Sequence, residues 1–275
     1  MIILYLDNKI LENNVHELLK QKWKFKIGIL FSGYVTYKFP NDIPILIDNK
    51  AYSNETLSIS EIFKLYEYAK KHYNNVKIVM PDFIEDYVKT YHGYLNAIKY
   101  IIKNNYVNEL HNFIFVLQGK TIEDYLICFK YLIKVFKDYR SRGVKLRDVV
   151  IGVGGIKVKP RQARAEYVIN VVKHVTEHFK HSFNLKPHIH VFGADIKLIE
   201  QTWKFVNSFD LTTFAHRINL QYGVKVIMSK QDGKLYEVRI WVKDVENSGK
   251  IDYETIHEHN LREYLIAINK RLNRS

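Results

Sequence analysis

A single cysteine, Cys128, occurs in 275 residues, which excludes an intrachain disulfide and any four-cysteine zinc site. That scarcity suits a reducing compartment, and a soluble, cytoplasmic protein is expected. Long apolar runs are also missing; none nears the ~18 residues expected of a membrane span. The opening Met1-Ile2-Ile3-Leu4-Tyr5-Leu6 is too short for a signal-peptide core and runs into Asp7 without a basic leader. No membrane association is expected. Proline is scarce, and no Pro-rich or low-complexity tract interrupts the chain, so one domain spanning 1–275 is the economical reading. Acidic residues are the last deficit. Asp and Glu number 29 against 42 Lys and Arg, a net charge of +13. Such an excess favours a polyanionic partner, because cationic side chains release counterions condensed on phosphates. A general bias towards Lys, Ile, Asn and Tyr is the plainer explanation.

Short apolar runs are present, and each ends on a residue that can do chemistry. Ile45-Leu46-Ile47 stops at Asp48, Val76 to Met80 stops before Asp82, and Phe113 to Leu117 stops at Gln118. Val149-Val150-Ile151 meets Gly152-Val153-Gly154-Gly155, His188 to Phe192 meets Gly193-Ala194-Asp195, and Phe209 precedes Asp210. Between the runs lie stretches of helical spacing. Ser58 or Ser60 caps one through Ala69, Ile84 to Lys103 carries a second, and Thr121 caps a third. Pro160 opens a fourth, and Trp203 falls in a short fifth. This alternation predicts an α/β fold, a (β/α)8 TIM-type barrel, with its first and last strands unassigned. Beyond Asp210 the spacing predicts a hairpin, Val224 to Met228 and Leu235 to Val242 around Gln231-Asp232-Gly233, then a helix from about Ile256 to Leu272. Polar residues at the C-terminal ends of successive parallel strands are where such a barrel builds its active site.

Taken in order, Asp48-Asn49-Lys50-Ala51-Tyr52, Met80-Pro81-Asp82, Val116-Leu117-Gln118-Gly119, Ile151-Gly152-Val153-Gly154-Gly155, Phe192-Gly193-Ala194 and Ser208-Phe209-Asp210 resemble the tRNA-guanine transglycosylase superfamily, including its DNA 7-deazaguanine transglycosylase branch. The resemblance spans about Ile45 to Arg217. It implies a pentosyltransferase that exchanges a guanine in tRNA or DNA for a free 7-deazaguanine-type base, without a cofactor. It implies Asp210 as nucleophile on the anomeric carbon and Asp48 as the acid/base carboxylate. Tyr52 would stack on the base, Asp82 and Gln118 would read its amide edge, and Gly154 with Gly155 would let backbone approach it. Departures are plain. The family's zinc-binding cysteines are missing, so the C-terminal segment is expected to have its own core. Asn49-Lys50-Ala51 stands where a Gly-rich stretch is usual, which leaves Lys50 unexplained.

The chemistry makes the same demands of residue type. Breaking an N-glycosidic bond develops positive charge on the sugar, which one carboxylate can trap as an ester while a second carboxyl moves protons. A carboxylate accepts from guanine's N1–H and amine, and an amide donates to its carbonyl. For phosphates, Lys157, Lys159, Arg161 and Arg164 follow the Gly-rich strand end, and His216 with Arg217 follow Asp210. Arg140, Arg142, Lys145 and Arg147 precede the same strand and read as solvated helix-end charge on the opposite face.

Structural readings stand beside these. Asp48 could be a turn residue, Asp82 a helix cap, Gln118-Gly119 an ordinary turn, the glycines close packing, and Asp210 bonded to Thr212 or Thr213. Asp195 reads as a helix cap, His188 and His190 as barrel packing rather than a metal site, and His257 and His259 as exposed. No metal is expected. A noncatalytic nucleic-acid-binding barrel and an unrelated barrel enzyme, a glycoside hydrolase or phosphate-ester enzyme, stay open, and so does a homodimer.

Overall fold

The structure is a computed structural model that describes residues 1–7, 15–32, 39–51, 57–211, 224–232, 234–240 and 253–274. Eight parallel strands close into a barrel: β1 (Ile2–Asp7), β2 (Phe25–Phe31), β3 (Ile45–Ile47), β4 (Val76–Val79), β5 (Phe113–Leu117), β6 (Val150–Val153), β7 (His188–Val191) and β8 (Ser208–Leu211). β1 closes the ring by pairing with both β2 and β8. The fold is therefore the (β/α)8 TIM-type barrel that the alternating pattern predicts.

The strands read as continuous apolar runs because both of their faces are covered. All five residues of β5 are buried. Phe113, Phe115 and Leu117 turn outward beneath the helices, while Ile114 and Val116 turn inward. Tyr5, Leu30, Leu46, Val79 and Val150 join them in a separate cluster that fills the barrel. Fully burying side chains of this size stabilises by ~1.5–3 kcal/mol each, before the entropy of ordering them.

The helices are α1 (Val15–Lys20), α2 (Ile59–Lys70), α3 (Tyr87–Lys103), α4 (Ile122–Ser141), α5 (Arg164–Phe183), α6 (Ile196–Thr202) and α7 (Tyr253–Arg274). Capping boxes start α2 (Ser58 with Glu61) and α4 (Thr121 with Asp124), each cap contributing ~1 kcal/mol. Asp86 caps α3, which begins three residues later than the periodicity suggests. Pro160 does not open α5: it begins a turn in which Ala163 N–H bonds to its carbonyl at 2.9 Å, and the helix starts at Arg164.

The hairpin pairs β9 (Val224–Ser229) with β10 (Leu235–Ile240). α7 packs against the hairpin strand β9 and, on the described residues, also joins the barrel core. Leu261, Tyr264, Leu265 and Ile268 are buried with the main barrel core. Tyr264 accepts from Ile196 N–H at 3.2 Å, Arg271 pairs with Glu200 at 2.7 Å, and Asn269 accepts from Lys24 N–H at 2.9 Å. A long helix thereby covers the side where α1 and α6 are only six and seven residues long. Among the described residues no helix is long and apolar enough to cross a membrane.

Candidate active site

Side chains alternate along a strand, so the inward-facing positions of the barrel can be followed to its C-terminal mouth. Two residues beyond inward Leu46 and Val116 come Asp48 and Gln118. Ser208 is followed at the same interval by Asp210, and His190 by Phe192. Asp82 lies just past this pattern, after Pro81. A narrow cleft of about 260 Å³, its open mouth included, is lined by Asp48, Asn49, Asp82 and Gln118, with apolar walls from Val79, Val116 and Phe192 and with Gly154 and Gly155 at one edge. Asp210 sits beside it, its carboxylate taking the N–H of Gly193, the residue after Phe192.

Each carboxylate is held differently. Asp82 is buried and accepts from Asn49 Nδ2 and Gln118 Nε2, both at 2.5 Å. Asn49 also donates to the Met80 carbonyl at 2.8 Å, which locks its amide. The helix-cap reading of Asp82 fails, since Asp86 caps α3. Asp48 accepts from the backbone N–H groups of Asn49 and Lys50. Lys50 has φ 62, a left-handed conformation that accompanies this return of its N–H towards Asp48. Asp210 faces Tyr5 in register across β1 and β8.

Burial dominates the electrostatics, because a carboxylate removed from water resists ionising. It pushes Asp48 up to about 6, against the pull of the two backbone N–H groups and Lys157, with Asp7 adding repulsion. It pushes Asp82 up to about 7, opposed by the Asn49 and Gln118 amides and reinforced by Asp48. Asp210 likewise rises to about 7, opposed by Lys157 and Gly193 N–H and reinforced by Asp48. Asp48 thus acts on both other carboxylates. The three carboxyls, linked through Asp48, titrate near neutrality at the end of the barrel where folds of this type build their active sites.

The glycines make room here. A Cβ on Gly154 would collide with the Gln118 amide, and one on Gly152 would fall 2.7 Å from the Phe192 ring. Gly154 N–H bonds to the Leu117 carbonyl at 3.1 Å and its carbonyl takes the Tyr125 hydroxyl at 2.6 Å. Its backbone is therefore engaged inside the protein, and the space it leaves goes to Gln118. Gly155, at φ +66, turns the chain into the short 3-10 turn Ile156–Val158.

The basic residues after β6 divide. Lys159 departs from the phosphate-binding expectation: its ammonium is enclosed, bonding Glu85 at 2.7 Å and the Gly119 and Lys120 carbonyls at 2.8 and 3.0 Å. It ties together the loops after β4, β5 and β6. Arg164 donates to the carbonyls of Lys157 and Lys159 at 2.6 and 3.1 Å and lies 3.6 Å from Asp195. Arg161 is mostly exposed, 3.5 Å from Asp195. Lys157 lays its stem across Gly193 and brings positive charge to Asp48 and Asp210. Tyr52, His216 and Arg217 lie outside the described residues, as do Thr212 and Thr213, the alternative partners of Asp210.

Asp195 caps α6, accepting from Leu198 N–H at 2.9 Å. His190 fills the barrel between Tyr5 and Phe192, its Nδ1 2.9 Å from Ser208 Oγ. Burial and Lys77 push it down to about 3, so the ring is neutral. Among the described residues no group of His, Cys, Asp and Glu is arranged to hold a metal ion. Asn49, Phe192 and Lys157 are site residues whose roles sequence spacing missed. Phe192 was recoverable, since it shares the inward parity of His190. Neither a family model nor a curated protein matches the chain.

Proposed function

We propose that the protein is a guanine transglycosylase-like pentosyltransferase, exchanging a guanine in tRNA or DNA for a free 7-deazaguanine-type base. The observation that carries this reading is the coupling of Asp48, Asp82 and Asp210 at one barrel mouth, beside an apolar cleft narrow enough for a flat ring. A base in that cleft would offer its N1–H and amine to Asp82 and its carbonyl to Gln118. Stacking on the Phe192 ring would contribute ~1–3 kcal/mol, against a few kcal/mol to unstack the target base.

In this reading Asp210 attacks C1′ of the target nucleotide. The C1′–O bond forms as the C1′–N9 bond breaks, and that electron pair leaves with guanine, which takes its proton from Asp48. The incoming base returns its N9 proton to Asp48 while its nitrogen attacks C1′, and the Asp210 carboxylate is released. Nothing is oxidised or reduced. The cycle needs the pair's one proton on Asp48 and a charged Asp210. Burial sets the reverse order, about 6 for Asp48 and about 7 for Asp210, so the proton must pass from Asp210 to Asp48 before attack. Exchange should then follow a bell-shaped pH profile, both of whose limbs belong to the pair.

Labelled-guanine incorporation into tRNA and into double-stranded DNA tests the activity and chooses the substrate. Asp210→Ala should abolish incorporation while polynucleotide binding survives. Undiminished exchange in that variant would sink the mechanism. A barrel glycoside hydrolase would share the carboxylates but leave polynucleotide unlabelled.

A further inference from the structure

Lys157 stands out at the mouth because it crosses Gly193. A Cβ on that glycine would fall 2.7 Å from Lys157 Cγ, 3.0 Å from Cδ and 2.9 Å from Cε. Gly193, at φ +70, is also the residue whose N–H holds the Asp210 carboxylate. The lysine stem and the carboxylate thus share one glycine. Arg164 Nη2 clamps the Lys157 carbonyl at 2.6 Å, fixing where the stem begins.

The charges around Asp210 come from several elements. Asp48, beyond β3, repels it directly. Asp7, at the end of β1, acts on Asp48, which in turn acts on Asp82, beyond β4. Tyr5 of β1 is pushed above the ordinary phenol range by burial and stays neutral. Asp195, on the β7–α6 loop, lies near Arg161 and Arg164. Lys157 brings positive charge to both Asp210 and Asp48. We propose that Lys157 is a positioning residue, whose stem is laid across Gly193 and whose ammonium favours the charged, attacking form of Asp210 against the burial that holds its proton, and not a phosphate contact. The attack rests on the transglycosylase reading; the charge relation does not.

Lys157→Met keeps the stem and removes the charge, and Lys157→Arg restores charge. Two readouts are needed: ¹³C titration of aspartate-labelled protein, and the pH profile of guanine exchange. The Met variant should raise the Asp210 midpoint by about one unit and carry the exchange profile upward with it. Exchange should then fall about tenfold on the acidic limb and recover above pH 8. The Arg variant should return both readouts towards the parent, separating lost charge from lost packing. An unmoved midpoint in the Met variant overturns the inference. So does an unmoved profile with a salt dependence of polynucleotide binding shallower by ~0.9, the signature of a lost duplex phosphate contact. If the midpoint moves but the parent exchanges no guanine, the charge relation stands and the transglycosylase reading falls.

Discussion

The mouth and the foot of this barrel carry similar basic clusters on either side of one strand, yet use them in opposite ways. At the foot, Arg140, Arg142, Lys145 and Arg147 are all exposed, and all but Arg142 edge open clefts. Arg142 has its own helix partner, Asp138, at 3.0 Å. At the mouth, Lys159 is enclosed with Glu85, Arg164 clamps two carbonyls, and Lys157 lies over Gly193. Proximity in sequence to a polar strand end therefore marks charges that build the site as much as charges that meet a ligand. Foot charges cost the fold little. Mouth charges are part of it.

The largest test of that contrast is Asp210→Asn. Burial raises the carboxyl to about 7 from an ordinary value near 4, so the folded state holds a proton that the unfolded chain has already released. Stability is therefore lost as pH rises from about 4 to 7, by up to ~4 kcal/mol at ~1.4 kcal/mol per unit. An asparagine can still accept from Gly193 N–H without that cost. Asp210→Asn should resist urea better than the parent at pH 8, with the difference closing below pH 4; equal stability at both ends would contradict the burial account.

Glu85→Gln comes next. It strands the enclosed Lys159 ammonium and should cost about 3 kcal/mol. That is the low end for a broken buried pair, since Glu85 is itself a third exposed. A shift of the denaturation midpoint at constant m-value measures it. Replacing Arg140, Lys145 and Arg147 together by alanine should stay within about 0.5 kcal/mol per site, as ordinary surface changes do. A large loss there would erase the distinction between the two ends. The smallest effect is expected of Arg161→Ala, the exposed cation of the mouth group. It should leave stability alone and reduce the salt dependence of duplex binding by ~0.9.

Much of the fold was legible because parallel strands covered on both faces announce themselves as apolar runs, as β3 to β6 do; β7 and β8 carry polar His188, His190, Ser208 and Asp210 and were read from their ends instead. β2 escaped because Lys26 and Gly28 interrupt its run, and Gly28 leaves space for the Tyr5 ring, which a Cβ there would meet at 2.6 Å. Helix starts at Ser58 and Thr121 were readable from caps that act within three residues. Pro160 misled because its turn is held by contacts through Lys159 and Arg164. In the site, side-chain parity singles out Asp48, Gln118 and Asp210. The partners were hidden: Asn49 meets Asp82 33 positions away, and Lys159 meets Glu85 74 positions away, on a residue with φ 58. Local spacing carries no record of such encounters.

Asp82 has one more consequence. Each of its oxygens takes one amide donor, from Asn49 and from Gln118, so the cleft wall is a fixed circuit of donors and acceptors. A carboxylate oxygen takes more than one donor and an amide nitrogen carries two N–H groups, so a ligand with a donor edge can join this circuit without breaking it. A flat ring without donors gains nothing from Asp82 and still costs the desolvation of its carboxylate. Selectivity at this mouth then resides in a frame that is already fixed and still has acceptor capacity to spare.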